Sequence, residues 1–142
     1  MLLDAAALAE RGLPGQLGWS DAVRFSELDP LGHVNNVAYL AWFEGIRVRY
    51  LTALGLTSYG PDDPGFVVRR LDAEYRAEMR LHDPYTVTVA TTRMGRTSFE
   101  QDYEVHGRAG LTASGSCTIV MVRQGRPAPL TDAIRAAMGG AP

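Results

Sequence analysis

The sequence predicts an α+β fold in which one long helix lies against a curved antiparallel sheet. Three observations lead there. Only one stretch, from Asn36 to about Leu54, is long and apolar enough to be a buried helix. Four runs between Phe66 and Arg123 alternate apolar and polar residues with period two. Tight turn signals separate those runs, so neighbouring strands pair antiparallel.

The elements follow in chain order. Residues 1–18 are rich in Ala and Gly. They read as an N-terminal extension with a short helix from Asp4 and a loose, frayed start; residues 19–142 read as one domain. Trp19 to Phe25 alternates as a strand. Ser26 to Gly32 holds Asp29-Pro30 and Gly32, a turn. Asn35 or Asn36 is a good N-cap, and Val37 to Phe43 is seven apolar residues in a row. A helix apolar nearly all round is a buried helix, and Gly55 is a natural stop. Phe66 to Arg80 alternates without a break, so the expected strand is long and must bend. Tyr85 to Thr92 is a β-branched strand. Turns at 94–96 and 106–110 join it to strands over Phe99–Val105 and Leu111–Arg123. Thr131 caps a short helix over Asp132–Met138.

With 142 residues, the chain has the length of one domain with a real core. One cysteine, Cys117, excludes an internal disulfide and a cysteine cluster. His33, His82 and His106 lack metal-ligand spacing, so no metal site is expected. A net charge of -2 offers no basic excess for nucleic acid or an anionic membrane. All fourteen basic residues are Arg, so any anion site is an arginine site. No apolar run spans a membrane and the start does not read as a secretory signal, so a cytoplasmic protein is expected.

The chemistry concentrates in Asp29–Arg47. The first N–H groups of a helix lack intrahelical partners and favour negative charge. A carbonyl placed there is polarised, and a carboxylate just upstream, Asp29, can attack it or activate water. Asp29 can equally be a turn residue, and Asn35-Asn36 capping alone. Glu44 interrupts the apolar helix; it is either functional or paired with Arg47 at i+3. Cys117, mid-strand among Ser and Thr, reads as a small buried residue.

The run His33-Val34-Asn35-Asn36, followed by Tyr39, Glu44 and Arg47, resembles the signature of the hotdog-fold thioesterases of the 4-hydroxybenzoyl-CoA and acyl-CoA thioesterase group. The resemblance implies a curved sheet wrapped around one central helix. It implies hydrolysis of acyl-CoA or aroyl-CoA, with no cofactor because CoA is part of the substrate. It also implies homodimers, often paired into tetramers, with active sites between subunits. By that resemblance Asp29 is the nucleophile or general base, Asn36 N–H polarises the carbonyl, and Glu44 supports Asp29 or activates water. His33 is a further catalytic candidate, although Leu31 stands where plant relatives carry Asn. Asn35 and Tyr39 are expected at the substrate, and the hairpin residues Arg93, Arg96, Thr97 and Ser98 at the CoA phosphates. Two other readings compete: an acyl-CoA hydratase or dehydratase using Asp29 and His33, and a non-catalytic acyl-thioester binding protein.

Overall fold

The computed structural model describes residues 1–139. The chain forms β1 (Leu2–Asp4), α1 (Ala5–Glu10), β2 (Leu17–Ala22), α2 (Asn36–Ala53), β3 (Gly65–Tyr75), β4 (Pro84–Met94), β5 (Ser98–Gly107), β6 (Gly110–Arg123), β7 (Arg126–Pro127) and α3 (Asp132–Ala137). The strands make one antiparallel sheet in the order β1-β2-β4-β5-β6-β3, with β7 added to the end of β6. The sheet curves around α2 without closing. This is the expected α+β hotdog architecture. Among the described residues no helix is long and apolar enough to cross a membrane.

The helix is seated by its inward face. Tyr39, Trp42, Phe43, Ile46, Tyr50 and Leu51 are all buried, a spacing of three and four that puts them on one stripe. Phe43 stacks on Tyr103, with ring centroids 5.1 Å apart. It fits because β6 has glycine beneath it. A Cβ at Gly115 would lie 2.7 Å from the Phe43 ring and 2.8 Å from the Asp72 carbonyl oxygen. Trp42 stacks on Tyr85 at 4.0 Å and donates its Nε1–H to Glu27 at 2.5 Å.

Several expectations need correction. α2 is not buried all round: Val37, Ala41, Glu44, Val48 and Thr52 form an exposed stripe, because the sheet of one chain wraps only one side. The alternating run from Phe66 ends as a strand at Tyr75, not Arg80. It also carries a bulge between Val68 and Arg70. The bulge restores Val68 to the same face as Leu71, Ala73 and Tyr75, and it supplies the expected bend. Phe25 lies outside β2, in a 3₁₀ turn, and is 80% exposed.

The N-terminal residues are built into the sheet instead of being loose. Leu2–Asp4 pairs with Leu17–Trp19, Asp4 caps α1 through the Ala7 N–H, and Leu8 is fully buried. At the other end Ile134 of α3 and Met138, its C-cap, insert into the main core.

Gly115→Ala should lower unfolding stability by roughly 1–3 kcal/mol, since neither the aromatic ring nor the strand backbone can move far. Urea unfolding measures it; a loss below about 0.5 kcal/mol would mean that Phe43 is not held in that gap.

Candidate active site

The site forms where the chain enters α2. Asp29 and His33 are tied by a tight turn. The Asp29 N–H donates to the His33 carbonyl at 2.7 Å, and Gly32 N–H donates to the Asp29 carbonyl at 3.0 Å. Gly32 sits at φ +80°, a conformation that glycine adopts without strain. The Asp29 carboxylate accepts from Leu31 N–H (2.8 Å) and His33 N–H (3.1 Å), both on Oδ1. These bonds fix the carboxylate and leave Oδ2 without a donor among the described residues.

The helix start is fixed from three sides. Val34 N–H donates to the Met79 carbonyl (2.9 Å), and Asn35 N–H to the Glu27 carbonyl (2.8 Å). The Tyr75 hydroxyl donates to the Asn36 carbonyl at 3.2 Å. Asn35 is the N-cap, its Oδ1 accepting from Val37 N–H at 3.0 Å. Asn36 is the first helical residue; no acceptor for its N–H exists among the described residues. That N–H stands at the positive end of an 18-residue helix.

Asp29, His33, Asn36 and Tyr39 line one open depression of about 410 Å³, together with Tyr75 and Glu78. Four of the ten residues that sequence points to are therefore brought together, with Asn35 holding the turn behind them. Burial pushes the Tyr39 phenol above its ordinary range, and neighbouring Tyr75 pushes it the same way. Tyr39 thus remains a neutral aromatic wall at neutral pH, packed 5.3 Å from the Tyr75 ring.

Glu44 lies elsewhere. It is on the exposed stripe of α2 and does not line the depression. It does not pair with Arg47 either. Arg47 is buried and donates to the Tyr103 hydroxyl (3.2 Å) and toward Cys117 Sγ (3.9 Å). The i+3 geometry allows the Glu44–Arg47 pair, but Arg47 turns inward with the core face and Glu44 outward. Burial raises the Cys117 thiol above its usual range, in keeping with a packed residue and against a thiolate.

The hairpin residues Arg93, Arg96, Thr97 and Ser98 stand at the other end of the sheet. Arg93 and Ser98 line a separate cleft with Arg69, Arg70 and Glu100. Arg96 and Thr97 use their carbonyls to hold Leu130 N–H (2.8 Å) and Met121 N–H (2.9 Å) and do not line it.

Sequence reasoning misses Glu78 and Tyr75, which reach the depression from the β3 end. Glu78 pairs with His33 Nε2 at 2.9 Å and also holds Arg80 at 3.0 Å. Its place in an alternating run gives it the look of a solvent-facing strand residue, yet it lies beyond the strand end. Tyr75, the last residue of β3, clamps the helix start. In the sequence it is one aromatic residue inside the alternating run Phe66–Arg80, with nothing to mark it as the strand end.

Among the described residues no group of three or more His, Cys, Asp or Glu side chains is placed to hold a metal ion. A family model described as the thioesterase-like superfamily matches residues 23–138. The chain belongs to this superfamily. A thioesterase-superfamily structure from Jannaschia sp. CCS1 is 32% identical, with a TM-score of 0.90, covering 99% of this chain and 95% of that one. A Thermus thermophilus thioesterase complexed with coenzyme A and Zn is 36% identical, with a TM-score of 0.78, covering 85% of this chain and 95% of that one. The uncharacterized protein YsmA of Bacillus subtilis (strain 168) is 30% identical over 82 residues, which are 58% of this chain. That match spans 55% of YsmA, about half its length.

Asn35→Ala should destabilise the protein by about 1 kcal/mol through the lost cap, and Asn35→Asp should restore most of it. Thermal and urea unfolding read the difference; equal stability in all three proteins would remove the cap from the account.

Proposed function

We propose that this protein hydrolyses acyl-CoA or aroyl-CoA thioesters to the free acid and CoA. One observation carries the reading: a fixed carboxylate, Asp29, and an unpaired helix N-terminal N–H, Asn36, line the same depression. The thioester carbonyl oxygen takes the Asn36 N–H. A water oxygen attacks the carbonyl carbon while Asp29 accepts its proton. Negative charge grows on the carbonyl oxygen, where the N–H and the helix dipole oppose it. The tetrahedral intermediate then collapses, the C–S bond breaks, and the CoA sulfur leaves with the proton from Asp29. His33, held by Glu78, lines the same space and orients substrate or water. The neutral rings of Tyr39 and Tyr75 give the acyl group an aromatic wall.

The same reading includes a pair of chains in the cytoplasm, and further pairing into a tetramer. β3 is the edge of the sheet, so one side of its 11-residue backbone has no strand partner among the described residues. Long unpaired edges invite pairing. Beside this edge Val67, Val68 and Tyr75 are exposed, as are Val37 and Val48 of α2. A second copy related by a two-fold axis would cover all of them, including the stripe that carries Glu44.

Free-thiol release from a panel of acyl- and aroyl-CoA esters tests the reaction. Asp29→Ala should lower kcat about 10²–10⁴-fold, the usual worth of a positioned acid–base group, with the fold intact. Glu44→Ala should keep most of the rate. Collapse in Glu44→Ala alone would move the catalytic carboxylate to α2, and no release from any ester would favour the binding-protein reading. Hydration of 2-enoyl-CoA esters, lost in His33→Ala, would favour a hydratase.

Light scattering after gel filtration should give the mass of two chains or a multiple of it. Two charges on the edge, Val67→Lys with Val68→Lys, should shift the mass toward one chain. A wild-type protein that elutes as a single chain would end the paired reading.

A further inference from the structure

Among the first N–H groups of α2, Val37 N–H donates to Asn35 Oδ1 at 3.0 Å and Ala38 N–H to the Asn35 carbonyl at 2.9 Å. Asn36 N–H has no acceptor among the described residues, and Asn36 lines the depression with Asp29. A donor without an acceptor is aimed by its backbone alone. The bonds on the neighbouring peptide units therefore decide where this one points.

Peptide units are flat, so a bond at either end turns the whole plate. The unit that carries Asn36 N–H also carries the Asn35 carbonyl, held by Ala38 N–H. The unit before it carries Asn35 N–H, held by the Glu27 carbonyl at 2.8 Å. The unit after it carries Val37 N–H and the Asn36 carbonyl. Asn35 Oδ1 holds the first, and the Tyr75 hydroxyl holds the second at 3.2 Å. Ala38 and Asn35 belong to the helix start itself, and Glu27 to the 3₁₀ turn just upstream. Tyr75 alone comes from far along the chain, 39 residues from Asn36.

Tyr75 is itself rigidly placed. It pairs with Ala113 of β6, and the next two N–H groups, of Arg76 and Ala77, both donate to the Thr112 carbonyl, at 2.8 and 3.2 Å. Its ring packs against Tyr39, with 5.3 Å between centroids. A carbonyl has two lone pairs, so the phenol can bond the Asn36 carbonyl without displacing the helix bond there. The Tyr75 side chain is about half exposed. A hydrogen bond so open to water adds little to stability. Its worth lies in direction.

We propose that Tyr75 is the positioning residue for the oxyanion donor: its hydroxyl, through the Asn36 carbonyl, aims the Asn36 N–H at the thioester carbonyl oxygen. The assignment rests on the thioester reading above. The N–H matters most when negative charge has grown on that oxygen, so a donor aimed badly lowers kcat and leaves KM nearly alone.

Two measurements test it. The first reads kcat and KM for thiol release. Tyr75→Phe keeps the ring and removes the hydroxyl. It should lower kcat about tenfold, because a small misplacement of a positioned group is costly, with KM within about twofold and the unfolding midpoint unchanged. The companion variant is Asn36→Pro, set against Asn36→Ala, which keeps the N–H. Proline suits the first helical position. Asn35, at φ -64° and ψ 140°, already has the backbone of a residue before proline. Asn36→Pro thus removes the donor and keeps the helix. Tyr75→Phe should cost about tenfold beside Asn36→Ala and less than about twofold beside Asn36→Pro, as coupled residues do. An equal cost in both, or no cost in the wild type, would overturn the assignment.

The second measurement needs no turnover. Proton–nitrogen NMR follows the Asn36 amide as the protein takes up CoA ketones in which CH2 replaces the thioester sulfur, carrying the acyl and aroyl groups of the ester panel. The amide proton should move downfield on binding in the wild type and move less in Tyr75→Phe. An equal shift in both proteins, or a shift centred on another amide, would sink the positioning role. A shift that depends on Tyr75, in a protein that releases no thiol, would leave that role standing and remove the hydrolase reading instead.

Discussion

The close approach of Phe43 to Gly115 is the contact on which the candidate site depends. The absence of a side chain at Gly115 lets an aromatic ring reach the strand backbone and stack on Tyr103. That fixes α2 in depth against the sheet. With the helix at that depth, Tyr75 reaches the Asn36 carbonyl and Trp42 reaches Glu27. Asn36, the first helical residue, then lines the same depression as Asp29. A helix held one side chain further out would still be a helix, but its start would not face Asp29.

Strength of seating and openness of site are in tension, and the chain resolves it with one-sided burial. The inward stripe of α2 is packed tightly, and a chain of buried polar contacts runs beneath it from Gln16 through Tyr50 and Thr91 to Gln101, Tyr103 and Arg47. Such a network is fully satisfied here: no buried side-chain polar atom among the described residues lacks a partner. The outward stripe and the edge of β3 are left uncovered by the described residues. Apolar residues at an unpaired edge are unfavourable in water, a cost that the pairing proposed above would remove.

Much of this was legible in the residues. The helix limits follow from the Asn35 cap and Gly55, because capping chemistry is local. The four strands follow from period two, and the β4–β5 and β5–β6 hairpins from turns containing Gly; that β3 pairs with β6 and not with its chain neighbour β4 did not follow from them. Asp29, His33, Asn36 and Tyr39 were legible as a set because all lie within eleven residues of chain. Glu78 and Tyr75 were not, since they arrive from a distant strand and only the fold brings them to the helix start. The facing of Glu44 is hidden for a related reason. Seven apolar residues in a row imply burial on every side, yet how much of a helix is covered depends on how far the sheet wraps.

The sequence by itself determined the element types, the helix cap, the turn that holds Asp29 and the membership that the motif suggests. These rest on interactions between residues a few positions apart, which the chain carries wherever it goes. Only the tertiary structure decided that Arg47 turns inward to Tyr103, that β3 ends at Tyr75 and lies at an edge, and that Arg69, Arg70 and Arg93 share one cleft. Each of these depends on strand order and on bulge position. Strand order and bulges are settled by how side chains pack across the sheet, between residues that are distant in sequence.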